Sequence, residues 1–172
     1  MVRGRKNPGF LSFPSRLRKA RKAAGYTRQG VTQQAALAGQ STIVDWENGQ
    51  RIPRIDTVER VAYALGLSPA FLAFGLATEA SQPTQGLRSE GIASRLRETR
   101  TSRGLSVLAL ATAAALSHTA VGNVERGTMP TLATSEALAI ALGVSPGWLA
   151  YGLGSRELPR RRRMSEAAAA PA

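Results

Sequence analysis

The chain has 172 residues, with 23 Lys and Arg against 11 Asp and Glu, a net charge of +12, 43% apolar residues and 5% aromatics. That length suits one domain or two small ones, and the apolar share is too high for disorder throughout. With no Cys and a single His, His118, the composition excludes a disulfide framework, a Cys-ligated zinc site, an iron–sulfur cluster, a cysteine nucleophile and a multi-His metal site.

Residues 1–12 carry Arg3, Arg5 and Lys6 and lead into no apolar run of signal-peptide length, so they are read as a basic arm and export is not expected. In the next stretch, Leu17, Ala20 and Ala24 sit at helical spacing and Gly25 stops the helix. Thr27 is placed to cap a second helix. A third is predicted over Gln40 to Asn48, ended by Gly49, and a fourth over Ile55 to Leu65, ended by Gly66. Ser68-Pro69 reads as an N-cap followed by proline at the first helical position, opening a short fifth helix with Phe71 and Leu72. Residues 76–91, with Ser81-Gln82-Pro83-Thr84-Gln85-Gly86, have linker composition. Five more helices are then expected: Ile92 to Ser102, Val107 to Ala115, His118 to Arg126, Leu132 to Leu142 and Pro146 to Tyr151. Residues 153–172, with Arg160 to Arg163 and an alanine run, read as a basic disordered tail. No alternating strand pattern stands out, so the fold class is all-α.

The second set of helices repeats the first. Ser15-Arg16-Leu17-Arg18 recurs as Ser94-Arg95-Leu96-Arg97, Arg21 as Arg100 and Gly25 as Gly104, all 79 residues apart. Glu47 matches Glu125 at a separation of 78, and Gly66-Leu67-Ser68-Pro69 matches Gly143-Val144-Ser145-Pro146 at 77. Single-residue length changes between Gly25 and Glu47 and between Gly49 and Pro53 explain the drift. The chain is thus two copies of one module, 13–75 and 92–152, with net charges of +5 and +2. A balance this basic implies a polyanionic partner, nucleic acid before an anionic membrane. Leu105 to Val124 is free of formal charge over a length that could cross a bilayer. The helix assignment gives that stretch another home.

Within the second copy, Leu110-Ala111 turn one helix inward and Leu116 anchors a turn. Ser117 caps the next helix, which Val121 and Val124 fix by their spacing. His118, Thr119, Ala120, Gly122 and Asn123 are left facing outward. This is a helix-turn-helix presenting small polar side chains. Both modules resemble the Cro/repressor-type (XRE-like) helix-turn-helix family. The resemblance rests on Leu-Arg-x-x-Arg (Leu17 to Arg21; Leu96 to Arg100), on Trp46-Glu47-Asn48-Gly49 and Val124-Glu125-Arg126-Gly127, on Pro53 and Pro130, and on the Leu-Gly-Leu/Val-Ser-Pro segments. It implies two tandem five-helix DNA-binding modules whose third helices enter the major groove.

Carried over residue by residue, the resemblance implies base contacts from Gln40, Ser41, Thr42 and Asp45 in copy one and from His118, Thr119 and Asn123 in copy two. Gln and Asn suit adenine edges, Ser and Thr serve donors or acceptors, and Asp45 suits only the cytosine amino group. Phosphate contacts are implied for Arg28, Asn48, Gln50 and Arg51, and for Arg126 and Thr128. Val107, which matches Arg28, cannot make that contact. Arg21 with Glu47 and Arg100 with Glu125 are implied to be structural ion pairs. Copy one has an extra residue and Gly39 where Ser117 caps, so its turn is wider or its second helix distorted. Arg3 and Arg5, in an Arg-Gly-Arg like the core of a minor-groove hook, are read as phosphate grips, as are Arg160 to Arg163.

Trp46, Val124, Phe71 and Trp148 are expected in the core. Arg16, Arg18, Lys19 and Lys22 form a basic face of the first helix, either solvated or near the DNA backbone. No phosphate-cradling glycine loop, nucleophile with a His base or carboxylate cluster is present, so no enzyme, cofactor or metal is expected. The expected function is sequence-specific double-stranded DNA binding in transcription regulation, in the cytoplasm on the nucleoid, by a monomer or a homodimer. Two alternatives stand beside it. Copy two, with its Ala113-Ala114-Ala115 surface, could pack against copy one or bind a sister chain, RNA polymerase or another protein, leaving DNA to copy one. Or the chain could coat DNA without specificity. RNA is disfavoured because aromatics are few.

Overall fold

A computed structural model describes residues 8–39, 42–78 and 86–158. Its regular elements among these are all helical. In chain order they are α1 (Phe13–Ala23), α2 (Arg28–Gln34), α3 (Thr42–Glu47), α4 (Ile55–Ala64), α5 (Pro69–Phe74), α6 (Ile92–Ser102), α7 (Val107–Ala114), α8 (His118–Glu125), α9 (Leu132–Ala141) and α10 (Pro146–Tyr151). Short 3-10 turns, Gly9–Ser12 and Arg88–Gly91, lead into α1 and α6. The uncharged Leu105 to Val124 stretch is broken into α7 and α8, bent by 115°, and no single helix among the described residues is long and apolar enough to cross a membrane.

The caps follow the sequence in most places. Thr27, Ser106, Ser117 and Thr131 each accept the backbone N–H three residues on, at 3.0 to 3.2 Å. Ser68 stands at the N-cap position of α5 but makes no capping bond, because its hydroxyl pairs with Thr78. The first of the two length changes between the copies lies in the helix-turn-helix turn. Ala36 and Ala115 both end their helices in the left-handed conformation, φ 48° and 54°, still 79 residues apart. Buried Ile43 and Val121 are already 78 apart. Copy one therefore has the wider turn, and α3 starts at Thr42, whose hydroxyl donates to the Ala38 carbonyl at 3.1 Å. The predicted third helix was longer; Gln40 and Ser41 lie outside the described residues.

One hydrophobic core runs through both copies, from Phe13, Leu17, Val31, Ile43 and Trp46 to Leu110, Val121, Val124 and Leu138. Of the four residues expected in the core, Trp46 and Val124 are buried, Trp148 packs against the core at half burial, and Phe71 needs correcting. Phe71 is 41% exposed, and Trp148, its counterpart on α10, is half-buried beneath the Arg156 guanidinium, 4.9 Å from the ring centroid. Each lies on the outer side of a short amphipathic helix whose inner side is already filled by Leu72 or Leu149.

The copies meet through α5 against α10 and through the starts of α4 and α9. Phe74 and Tyr151 pack with ring centroids 6.4 Å apart, and the Tyr151 hydroxyl donates to the Ile55 carbonyl at 3.2 Å. At Gly147 a Cβ would come within 2.9 Å of Leu76 Cδ1 and 3.0 Å of Ala70 Cβ, so a glycine is what lets α10 approach α5. Copy two thus does pack on copy one, but through these helices and not through α7, where Ala113 and Ala115 stay exposed.

The chain on either side of the copies is also built in. Residues 86–91, expected as linker, include a 3-10 turn with Ser89 fully buried. Beyond α10, Leu153 is buried and the Ser145 N–H donates to the Arg156 carbonyl at 2.9 Å, so residues 153–158 pack on the fold. Arg3, Arg5 and Arg160 to Arg163 lie outside the described residues.

Candidate nucleic-acid interface

In each copy the third helix is fixed from behind by a buried carboxylate at its last turn. Glu47, its side chain fully buried, accepts from Arg21 Nε at 2.6 Å and Arg21 Nη2 at 3.2 Å, and from Arg28 Nε at 2.9 Å. Arg21 also donates to the Tyr26 carbonyl at 2.9 Å, which ties the loop before α2 to the same point. Burial alone would raise the Glu47 carboxyl, but hydrogen bonds from Arg21 and Arg28 outweigh it and hold it below its ordinary value. In copy two, Glu125 accepts from Arg100 Nε at 2.6 Å and Nη2 at 3.0 Å, and Arg100 reaches the Leu105 carbonyl at 2.8 Å. The hydrogen bond to Glu125 raises the Arg100 pKa against the opposing effect of burial. No counterpart of Arg28 exists there, since Val107 occupies its place.

Two further pairs of arginines, Arg16 with Arg95 and Arg18 with Arg97, bond to backbone carbonyls; sequence reasoning left Arg16 and Arg18 on a basic face and gave Arg95 and Arg97 no role. Arg16 donates to the carbonyls of Leu72 at 3.0 Å, Gly9 at 2.8 Å and Ala73. Arg95 repeats the arrangement with Leu149, Arg88 and Ala150 at 2.8 to 2.9 Å. Both close the carbonyl end of the fifth helix of their copy, and burial lowers the pKa of each. Arg18 and Arg97 donate to the carbonyls of Glu47 and Glu125 at 2.9 Å, where the third helices end. Lys19 and Lys22 are exposed. The signal was in the repeat: all three arginine pairs recur at 79 residues, and only the third was given an internal role.

With its rear fixed, α8 presents His118 and Thr119 exposed at its start, next to the Ser117 cap. Asn123, one turn on, is half-buried, and its Oδ1 accepts from Arg126, which lies across Gly122. Thr128 is exposed. In copy one Thr42 and Asp45 are half-buried on α3. Arg51, with its side chain 78% exposed, brings Nε to 3.9 Å from Asp45 Oδ2 and so offsets part of the Asp45 negative charge. Asn48 and Gln50 are exposed, with Asn48 Oδ1 accepting from Arg18. Arg28 is half-committed: its Nε serves Glu47 while the side chain remains 46% exposed. Among the described residues, no group of three His, Asp or Glu is placed to hold a metal ion.

The helix-turn-helix family profile matches residues 17–72 and again residues 96–149, well over half of the chain. The chain belongs to the helix-turn-helix family of the Cro/repressor (XRE-like) type, as a tandem duplication, and is in that sense a DNA-binding regulatory protein. No curated protein and no solved structure matches it.

Proposed function

We propose that the protein is a sequence-specific regulator of transcription that reads the major groove of double-stranded DNA with α3 and α8, on the nucleoid in the cytoplasm. His118, Thr119 and Asn123 are assigned to base edges from copy two. Thr42 and Asp45 take that role from copy one, with Gln40 and Ser41 on sequence grounds. Arg28, Asn48, Gln50, Arg51, Arg126 and Thr128 are assigned to phosphates, with Arg3 and Arg5 added from the arm. The observation that carries the reading is the start of α8, where two uncommitted polar side chains stand exposed on a helix locked from behind by Arg100 and Glu125. That is what base readout requires: side chains free to bond, on a backbone that does not move.

If about six to eight phosphates are neutralised, log K falls with log salt at a slope of roughly −5 to −7. Binding isotherms across a salt series measure it, and a slope near zero refutes DNA binding. Equal affinity for random and selected duplexes refutes specificity in favour of an architectural role.

One observation favours a second reading, in which DNA is left to copy one and copy two instead binds a protein: RNA polymerase, a sister chain or a toxin. Helix α7 exposes Leu108 (62%), Ala109, Thr112 and Ala113, a mostly apolar surface where copy one has the polar Gln29 and Gln33 in place of Leu108 and Thr112. In that reading Asn123→Ala leaves DNA affinity unchanged.

A further inference from the structure

The contacts between the two copies come in matched pairs. The Ile55 N–H donates to the Pro130 carbonyl at 3.0 Å, and the Leu132 N–H donates to the Pro53 carbonyl at 3.0 Å. Ile55 and Leu132 are equivalent positions of the repeat, as are Pro53 and Pro130. Glu59 on α4 reaches out of copy one to the turn that opens copy two, where Oε1 accepts the Arg88 N–H at 2.7 Å and Oε2 the Ser89 N–H at 2.8 Å. Its equivalent on α9, Glu136, reaches out of copy two to the turn that opens copy one. There Oε1 accepts the Gly9 N–H at 2.8 Å and Oε2 the Phe10 N–H at 3.0 Å. Phe74 and Tyr151, which meet at the junction, are equivalents too. A contact in which position i of one unit meets position j of the other, and j meets i, is the signature of a twofold axis.

We infer that the chain is an intramolecular dimer, in which Glu59 and Glu136 clasp the two copies about an internal dyad so that one chain reads an inverted pair of unequal half-sites. The half-site claim rests on the DNA reading proposed above. A twofold turns one reading head into the other by half a turn, and the two strands of a duplex are related in the same way. Heads so related meet half-sites that are inverted, not repeated head to tail. The clasps make the geometry fixed. Each carboxylate is fully or almost fully buried and takes two N–H groups of the first turn of the other copy, groups that a helical start otherwise leaves unpaired. Glu59 also accepts from the Tyr63 hydroxyl at 2.8 Å, and burial together with Glu59 raises that phenol well above its ordinary range, so it stays a donor.

The heads are not copies of each other. Asp45 in α3 stands where α8 has Asn123, and Asn48 where copy two has Arg126. Lys19, Lys22 and Arg28 of copy one become Glu98, Thr101 and Val107. A homodimer of single-module chains has identical heads and no direction on DNA. This chain has a direction: copy one supplies most of the attraction to phosphate, and the two heads call for different bases.

The test uses the full chain and duplexes selected from a random library. The expected consensus is two different half-sites in inverted orientation, occupied by one chain, as read by sedimentation or native mass spectrometry. Replacing the copy-two half-site with a second copy-one half-site costs tenfold or more in affinity, since the copy-two head then meets mismatched base pairs. Inserting five base pairs, about half a helical turn, between the half-sites abolishes two-headed binding. Glu136 is a positioning residue, so Glu136→Gln weakens the clasp and reduces that spacing penalty, an effect that a loss of stability alone does not produce. Two chains per duplex, a direct repeat or a perfect palindrome overturns the inference while leaving DNA binding intact. Free protein that sediments as a dimer at micromolar concentration overturns it as well. Retention of no duplex at all overturns the DNA reading and the half-site claim with it.

Discussion

Glu47 gives the sharpest test of how the third helices are held. Its carboxylate is fully buried and takes three hydrogen bonds from two arginines, one of which, Arg21, has a side chain only 10% exposed. Removing one member of a buried pair costs about 3–5 kcal/mol, because the other charge is left without a partner. Glu47→Ala is therefore expected near the upper end of that range. Glu125→Ala is expected nearer the lower end, since Glu125 is slightly more exposed and has no counterpart of the Arg28 bond. Replacing both partners, Arg21→Met with Glu47→Met, recovers much of the loss, because apolar side chains of similar volume fill the space without desolvated charge. Urea denaturation followed by circular dichroism measures all three variants. The pH dependence has a definite sign. The Glu47 carboxyl lies below its ordinary value, so its contribution is complete above the unfolded-state value of about 4.3 and is lost as pH falls through the depressed one. A loss under about 1 kcal/mol for Glu47→Ala, or no recovery in the double variant, refutes the assignment of this pair as the anchor of α3.

Other expectations follow from single contacts. Ala115→Gly relieves a left-handed alanine and is expected to stabilise by about 0.5–1 kcal/mol in thermal melts, the relief of strain outweighing the entropy of glycine. Gly147→Ala forces α10 away from Leu76 and Ala70 and is expected to cost about 1–3 kcal/mol, visible in the same melts and in faster hydrogen exchange at the Ile55 and Leu132 amides. On DNA, Arg51→Ala is expected to weaken every sequence about equally and to flatten the salt slope by about one. Asn123→Ala is expected to cost about 1–3 kcal/mol on the cognate site alone, in competition assays with single-base variants.

The helices were legible because each is short, apolar on one side and ended by a glycine or a cap, and the repeat gave every assignment a second witness. Individual side-chain roles failed where two signals competed, even where the helix boundary held, as at Pro69. At Ser68 the capping pattern was present, but Thr78, distant in sequence, took the hydroxyl. At Phe71 helical spacing suggested core, while Leu72 already filled the inner side. The outward faces of the third helices follow from Val121 and Val124 and from Ile43 and Trp46, which are buried as their spacing implies.

The clasp between the copies was the part least open to sequence reasoning. Glu59 and Glu136 recur at 77 residues on otherwise apolar helix faces, which was a usable signal. What they bind are backbone N–H groups, which every residue carries and which no pattern of side chains reveals. The same holds for Arg16 and Arg95. An arginine whose partners are carbonyls looks, in sequence, like an arginine facing solvent.

The central claim is that this chain selects particular DNA sequences with two heads. It is tested most directly by mixing the purified full chain with sheared DNA of its own genome at about 150 mM salt and sequencing the bound fragments. A few sharp peaks that share a motif of two unequal half-sites in inverted orientation are expected. A flat profile across the genome would contradict it.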